Sequence, residues 1–509
     1  MKKISYNDKT TFISTFIIGF LTHGYAIVNK ITNHDDMATL IGCSDGIALG
    51  RWMWKLWASL DTIINPFVYG LINLILMSVC AVLLIHIFNI KKLWISILMG
   101  GIWISFPANA SMFFYTQFIP IYSIGVFLSV LAIYFFSSQS GYKKYLLSII
   151  CIILSTGCYQ AYFAITVAGL TLLLLLKIYR KDLTYKMLIF DVFSTGIVLL
   201  VGLIGYFTVT KILCSYYNIS LVSYQGMDSI GVGYIDKLPQ MLSSAYTTFF
   251  EFHSGLQNVT LARIQDMALP FVFFICAIAI LRKQIRQKNI LASIISIIII
   301  VLYPAICNLT YFYGSEFVYS LMQYSNAFLH IAVLVFLDEF LPLITDSTKY
   351  LRVTISLIGV VISLGIVQNV MLANHEYYAQ YRTQIFSFEY LGDVVTRIRS
   401  TDGYSPEMPV SLIGYCQDAS IKGMDAALKR TNLGGITTAD NFINSAIYQD
   451  WLRPGLFNYW LGFSGTFLSK EQSMELLKDP RVSQMPDYPA DGSVQVVDGI
   501  VVVHFSSLF

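Results

Sequence analysis

The chain has 509 residues, of which 56% are hydrophobic and only 12% charged, with a formal net charge of +3. Soluble domains carry about 25% charged residues, so composition excludes a soluble globular protein, and so small a charge gives no reason to expect a nucleic-acid partner. The eight cysteines are scattered without C-x-x-C spacing, which leaves neither a metal knuckle nor a disulfide framework to argue from.

The N-terminal "MKKISYNDK" leads into an apolar run that reaches Val28 with no A-x-A cleavage site after it, which reads as an uncleaved first span. Apolar windows able to span, or nearly so, fall at 11–28, 62–88, 93–106, 118–137, 144–158, 160–176, 187–210, 267–281, 289–307, 324–344 and 351–372. The pairs 93–137 and 144–176 are short enough to be re-entrant instead. With the N-terminus inside, the inside segments hold seventeen Lys and Arg, while the outside ones before residue 373 hold six: Lys30, Arg51, Lys55, Lys211, Lys237 and Arg263. The positive-inside rule then favours N-in, and an odd number of crossings puts the C-terminus outside. The expected fold is a polytopic α-helical membrane protein of about 11 spans over 1–372, followed by a small extracytoplasmic α/β domain over 373–509.

The first outside loop, 29–61, contains "NHDDMATLIGCSDGIALGRWMWKLW". Leu49, Trp52, Met53, Leu56, Trp57 and Leu60 recur at offsets 0, 3, 4, 7, 8 and 11, a helical apolar stripe, with Arg51 and Lys55 on another face. Such a helix lies flat in the membrane interface with its cations at phosphate depth. The plain role is an aromatic anchor; the sharper one is that Arg51 or Lys55 holds the phosphate of a lipid-linked substrate. His34, Asp35 and Asp36 precede it. Adjacent carboxylates at a membrane surface repel each other, which raises the basicity of one. Either could take a proton from a sugar hydroxyl or ligate a divalent cation such as Mg or Mn. The plain alternative is a solvated loop, with Asp36 capping a helix that begins near Met37.

Further along, Tyr159 and Gln160 interrupt the outer end of a span, where polar residues line cavities or bond neighbouring helices. The second long outside loop, 211–265, carries Glu251 and His253 among aromatics, and Glu316 sits in "YFYGSEFVY". Each could line a sugar site, though a structural role is the commoner one. Asp338 and Glu339 lie towards the inner half of their span. In 373–509, "HEYYAQYRTQIFSFEYLGDVVTRIRS" reads as an amphipathic helix and "MPVSLIGY" as a strand. Ser469 with Gln472 makes a capping box, and "VQVVDGIVVVHF" is a hairpin turning on Asp498-Gly499. The chain has no Walker loop, G-x-S-x-G, H-E-x-x-H or dinucleotide fingerprint, so a transferred group would arrive already activated on a lipid.

The order of first span, outside "HDD", "GRWMWKLWASL" and many further spans resembles the membrane GT-C glycosyltransferases. More narrowly it is similar to the type II glucosyltransferases that decorate O-antigen in lipopolysaccharide and cause serotype conversion. Asp35-Asp36 with Gly50-Arg51-Trp52, the Tyr159-Gln160 pair and "MPDYPADGSVQVVDGIVVVHF" carry the likeness. The resemblance implies a GT-C-like fold in the bacterial inner membrane, with the C-terminal domain periplasmic. It implies a polyprenyl-phosphate-linked sugar donor, usually glucose, and a lipid-linked polysaccharide acceptor. The first-loop acid would be the catalytic base, here Asp36 or Asp35 with Asp36 slightly favoured by its place beside the helix start. Arg51, Lys55 or Lys211 would hold the donor phosphate. His34, Trp52, Tyr159, Gln160, Glu251, His253 and Glu316 would line the substrate. A surface-polysaccharide polymerase or ligase is the competing function; a lipid-linked glycan flippase ranks below both, because inverted repeats and mid-membrane charges in both halves are lacking.

Overall fold

The structure is a computed structural model that describes residues 5–31, 33, 36, 46–60, 64–180, 183–222, 234–256, 259–313, 318–341, 349–416, 433 and 439–506. His34, Asp35 and Glu316 therefore lie outside the described residues.

Helix α1, Tyr6–Val28, starts at a capping box in which Ser5 and Asp8 satisfy each other's backbone amides. The short α2, Met53–Leu60, precedes α3, Pro66–Phe88, which opens with an Asn65 cap and proline in its first turn and closes at Asn89 in the left-handed region. Then come α4 (Leu93–Ser105), α5 (Pro107–Met112), α6 (Ile119–Ser138), α7 (Gly141–Cys158), α8 (Phe163–Arg180) and α9 (Tyr185–Tyr217). Helices α10 (Tyr234–Leu256), α11 (Thr260–Arg286), α12 (Ile290–Cys307), α13 (Ala327–Phe340) and α14 (Lys349–Arg399) complete the helical body. Ten helical stretches among the described residues are long and apolar enough to cross a membrane, so the chain is a multi-pass membrane protein. The remaining expected window, 144–158, is α7. It returns antiparallel along α6, with Ser148 Oγ donating to the Ala132 carbonyl and Ser155 Oγ to that of Gly125.

The interval 211–265 is mostly helical: α9 runs on to Tyr217, α10 occupies Tyr234–Leu256 and α11 begins at Thr260. The bundle's two ends differ in chemistry. At one end, hydrogen bonds link residues 23, 31, 49–54, 104–118, 158–160 and 206. At the other, backbone amides of Lys91 and Lys92 donate to Asp338, Arg180 pairs with Glu339, and Lys177 pairs with Asp191 at 2.5 Å. The first is called the first-loop face and the second the basic face.

Helix α14 runs unbroken for 51 residues, ~76 Å at 1.5 Å per residue, so it leaves any bilayer core of about 30 Å well behind. Its N-terminal part, as far as Tyr377, packs in the membrane core with Ile355 and Ile362, while Leu391, Val394 and Ile398 belong to a second, separate apolar cluster. That second core also holds a three-stranded sheet in the order β1-β3-β2: β1 Val410–Ile413, β2 Val494–Val497 and β3 Ile500–His504. β2 and β3 pair antiparallel across Asp498 and Gly499, both at positive φ, as their Asp-Gly sequence predicts. β1 joins β3 in parallel, and the Ser469–Gln472 capping box opens a helix over Lys470–Leu476.

Candidate active site

At the first-loop face the Asp36 side chain is fully buried. Its Oδ2 accepts the Thr116 backbone N–H at 2.8 Å and its Oδ1 that of Gln117 at 3.0 Å. These amides open the turn Thr116–Phe118 that feeds α6, so the carboxylate sits on the positive end of a helix. Protein dipoles thereby replace the water that a buried charge would otherwise lose. Asp36 thus caps a turn eighty residues away, while the helix start expected near Met37 lies outside the described residues. The neighbouring Thr116 hydroxyl donates to the Ile31 carbonyl at 2.6 Å, tying the loop's start to the same turn.

Phe118, at the end of that turn, packs on Trp54 with centroids 4.0 Å apart and ring planes tilted by 31°, and Trp54 Nε1 donates to the Cys158 carbonyl at 2.8 Å. The Arg51 guanidinium lies over Trp54 at 5.1 Å and over Tyr159 at 4.6 Å, and its Nε donates to Gln160 Oε1 at 3.3 Å. Gln160 Nε2 donates to the Leu49 carbonyl and to the Tyr206 hydroxyl, which itself donates to the Gly50 carbonyl. Asp36, Arg51, Tyr159 and Gln160 thus form one contiguous assembly, with Trp54 and Phe118 between the acid and the cation.

The predicted apolar stripe is corrected. Gly50, at φ +69, ends a 3₁₀ turn over Ile47–Leu49, so Leu49 and Trp52 precede the helix, which begins at Met53. The buried member of α2 is Trp54, while Leu56 and Leu60 are exposed. Trp52 is buried against Gly157, where an added Cβ would meet its ring at 2.4 Å. Lys55 Nζ stands over the Tyr217 ring at 4.3 Å, and Lys211 is an exposed residue within α9. Glu251 is exposed at a break in α10, where its φ/ψ are −127° and 22°. His253 is instead buried: its Nδ1 lies 2.7 Å from Asp266, whose carboxylate also accepts the backbone amides of His253 and Ser254. His253 packs edge-on against His330, with ring centroids 5.0 Å apart. No group of three or more His, Cys, Asp or Glu able to hold a metal occurs among the described residues.

Three features of this face were not singled out from sequence. A polar network joins His23, whose ring nitrogens lie 2.8 Å from the Tyr377 hydroxyl and 3.0 Å from Asn109 Nδ2, with Asn73 and Ser123. Helix α14 buries Glu376, Gln380, Thr383, Gln384 and Ser387, at offsets 0, 4, 7, 8 and 11. In the sequence this stripe shows only as polar residues at helical spacing within an amphipathic segment. The chain beyond α14 also touches this face: Lys30 Nζ stands over the Trp460 ring at 4.3 Å, and Ser111 Oγ donates to the carbonyl of Leu433, itself buried in the membrane core. Burial pulls the Lys30 ammonium below the ordinary lysine range, with Asp36 as its opposing attractive charge.

A family model described as Glucosyl transferase GtrII matches residues 24–336. The chain belongs to that family. It is accordingly a membrane glycosyltransferase. The GtrII match contains Asp36, Arg51, Tyr159, Gln160 and His253, whereas the stripe on α14 and the β-sheet domain lie beyond its end. No curated protein and no solved structure matches the chain.

Proposed function

We propose that this GtrII-family enzyme moves glucose from a polyprenyl-phosphate-linked donor to a lipid-linked O-antigen or similar surface polysaccharide. The first-loop face is taken as the outer face of the inner membrane, with the N-terminus inside and eleven crossings counting α7. The seventeen-to-six distribution of basic residues supports that orientation.

The observation that carries the reading is the buried Asp36 carboxylate, fixed on two backbone amides beside a cationic, aromatic-walled assembly. In a single displacement, the acceptor hydroxyl gives its proton to Asp36 as its oxygen bonds to the anomeric carbon. The bond from that carbon to the phosphate oxygen breaks, and polyprenyl phosphate leaves with the electron pair. Arg51 and Lys30 stabilise the leaving charge, with Lys55 and Lys211 on the rim formed by α2 and the end of α9. Such stabilisation in a water-poor site contributes several kcal/mol. The stripe on α14 offers hydroxyl and amide partners to sugar, and the C-terminal domain covers the acceptor.

The test is Asp35→Asn and Asp36→Asn singly, with transfer from polyprenyl-phosphate glucose measured in membranes and normalised to folded protein. Loss of a general base lowers the rate about 10²- to 10⁴-fold. Wild-type rates in both variants would sink the general-base role. Sugar analysis of the surface polysaccharide with and without the enzyme checks the acceptor: a missing side-branch glucose supports the reading, and altered chain length points to a polymerase.

A further inference from the structure

The basic face contains a cavity of about 320 Å³, between α6, α7, α8 and α9, that the transfer reaction does not use. That volume lies within the roughly 300–1,000 Å³ range of small-ligand sites. Its wall on α8 is a stripe of Leu170, Leu173 and Leu174 that continues one turn later into Lys177, then Arg180. Lys144 of α7 closes it from the other side, and Asp191 of α9 is its one acid among the described residues.

The charges do not cancel. Lys177 holds Asp191 at 2.5 Å, and Arg180 is engaged by Glu339 and the Phe88 carbonyl. Lys144 has no carboxylate at ion-pair distance among the described residues. Its Nζ lies 3.9 Å from the Phe136 ring centroid and 5.3 Å from that of Tyr145, with Lys177 repelling it and Asp191 attracting it. Cations that only obey the positive-inside rule extend into water, as exposed Lys143 does. Here three cations converge, each partly buried, on a pocket whose other wall is aliphatic. Lysine and arginine at the end of an apolar groove between helices are the recognition chemistry for an anionic lipid headgroup.

We propose that this cavity binds the phosphate of a membrane lipid, with Lys144 as the decisive cation and the leucine stripe receiving the first part of an acyl chain. The site is separate from the proposed transfer site at the opposite face.

Purified full-length protein in phosphatidylcholine nanodiscs is titrated with dioctanoyl phosphatidylglycerol or with inorganic phosphate, and occupancy is read by native mass spectrometry. Wild type is expected to retain the lipid. Lys144→Gln, which keeps length but removes charge, and Leu173→Trp, which fills the cavity, are each expected to weaken retention at least tenfold. Arg282→Gln, a cation at the same face outside this cavity, is expected to leave it unchanged. Thermal unfolding without added lipid verifies that each variant is folded. Equal retention by wild type and Lys144→Gln overturns the site, as does an equal loss in Arg282→Gln, which marks a merely basic surface. Inorganic phosphate that binds and displaces the lipid, indifferent to Leu173→Trp, overturns the lipid assignment in favour of a free anion.

Discussion

Gln160→Leu is the substitution that best separates anchoring from chemistry. The wild-type amide accepts Arg51 Nε at 3.3 Å and donates to the Leu49 carbonyl at 2.7 Å and to the Tyr206 hydroxyl at 3.0 Å. Leucine preserves the volume and removes all three bonds. Tyr206 keeps its own bond to Gly50, and Arg51 keeps its stacking on Tyr159 and Trp54. The cost therefore falls on the Leu49 carbonyl, left without its amide at about 1–3 kcal/mol, and on one bond to a charged group at about 1.5–3 kcal/mol. Partial relaxation brings the sum to roughly 3 kcal/mol. Because Gln160 orients Arg51, the loss is expected in donor binding: KM for the polyprenyl-phosphate sugar rises by one to two orders of magnitude, on the order of 1.4–2.8 kcal/mol, while kcat changes less. Transfer kinetics against donor concentration, with thermal inactivation of the same preparation, read both terms. A variant with lowered stability and unchanged KM would refute the link from Gln160 through Arg51 to the donor phosphate.

Three other outcomes follow from the same face. Gly50→Ala forces alanine into φ +69 and sets its Cβ 2.6 Å from the Tyr206 hydroxyl, so a loss of about 1–2 kcal/mol or more is expected in thermal stability; an unchanged unfolding temperature argues against the turn as described. Lys30→Met removes a cation–π contact of about 0.5–2 kcal/mol with Trp460 and one charge beside Asp36, and a donor KM equal to wild type would exclude Lys30 from phosphate binding. Leu433→Ala opens a hole in the membrane core at a cost of about 2–5 kcal/mol. Its expected signature is faster proteolysis within 373–509 while the helical bundle stays intact, and identical cleavage rates would show that Leu433 does not hold the domain.

Sequence carried much of this architecture because the signals were local. Hydropathy marked the spans, and Asp498-Gly499 and Ser469 with Gln472 are short-range devices whose geometry depends on few neighbours. The stripe over residues 49–60 misled because an apolar period says nothing about backbone breaks, and Gly50 in the left-handed region resets the helix phase. Asp36 was legible as a candidate, but its partners were not. Thr116 and Gln117 are eighty residues away, and only the packing of α6 beside the first loop brings their amides to it. His253 with Asp266 was half visible for the same reason: the histidine stood out, and its carboxylate lies across a helical turn-around.

Helix α14 joins two apolar cores along one axis. Tyr377 is held in the bundle by His23, and Arg399 lies 22 residues further along one rigid rod, ~33 Å away. Transmembrane helices answer a change in bilayer thickness by tilting. A pivot of about 5° near Tyr377 carries the far end roughly 3 Å sideways over that length. The Trp460–Lys30 contact joins the domain on this rod to the loop that holds Asp36. A change of tilt in α14 is therefore felt at the contact between Trp460 and Lys30.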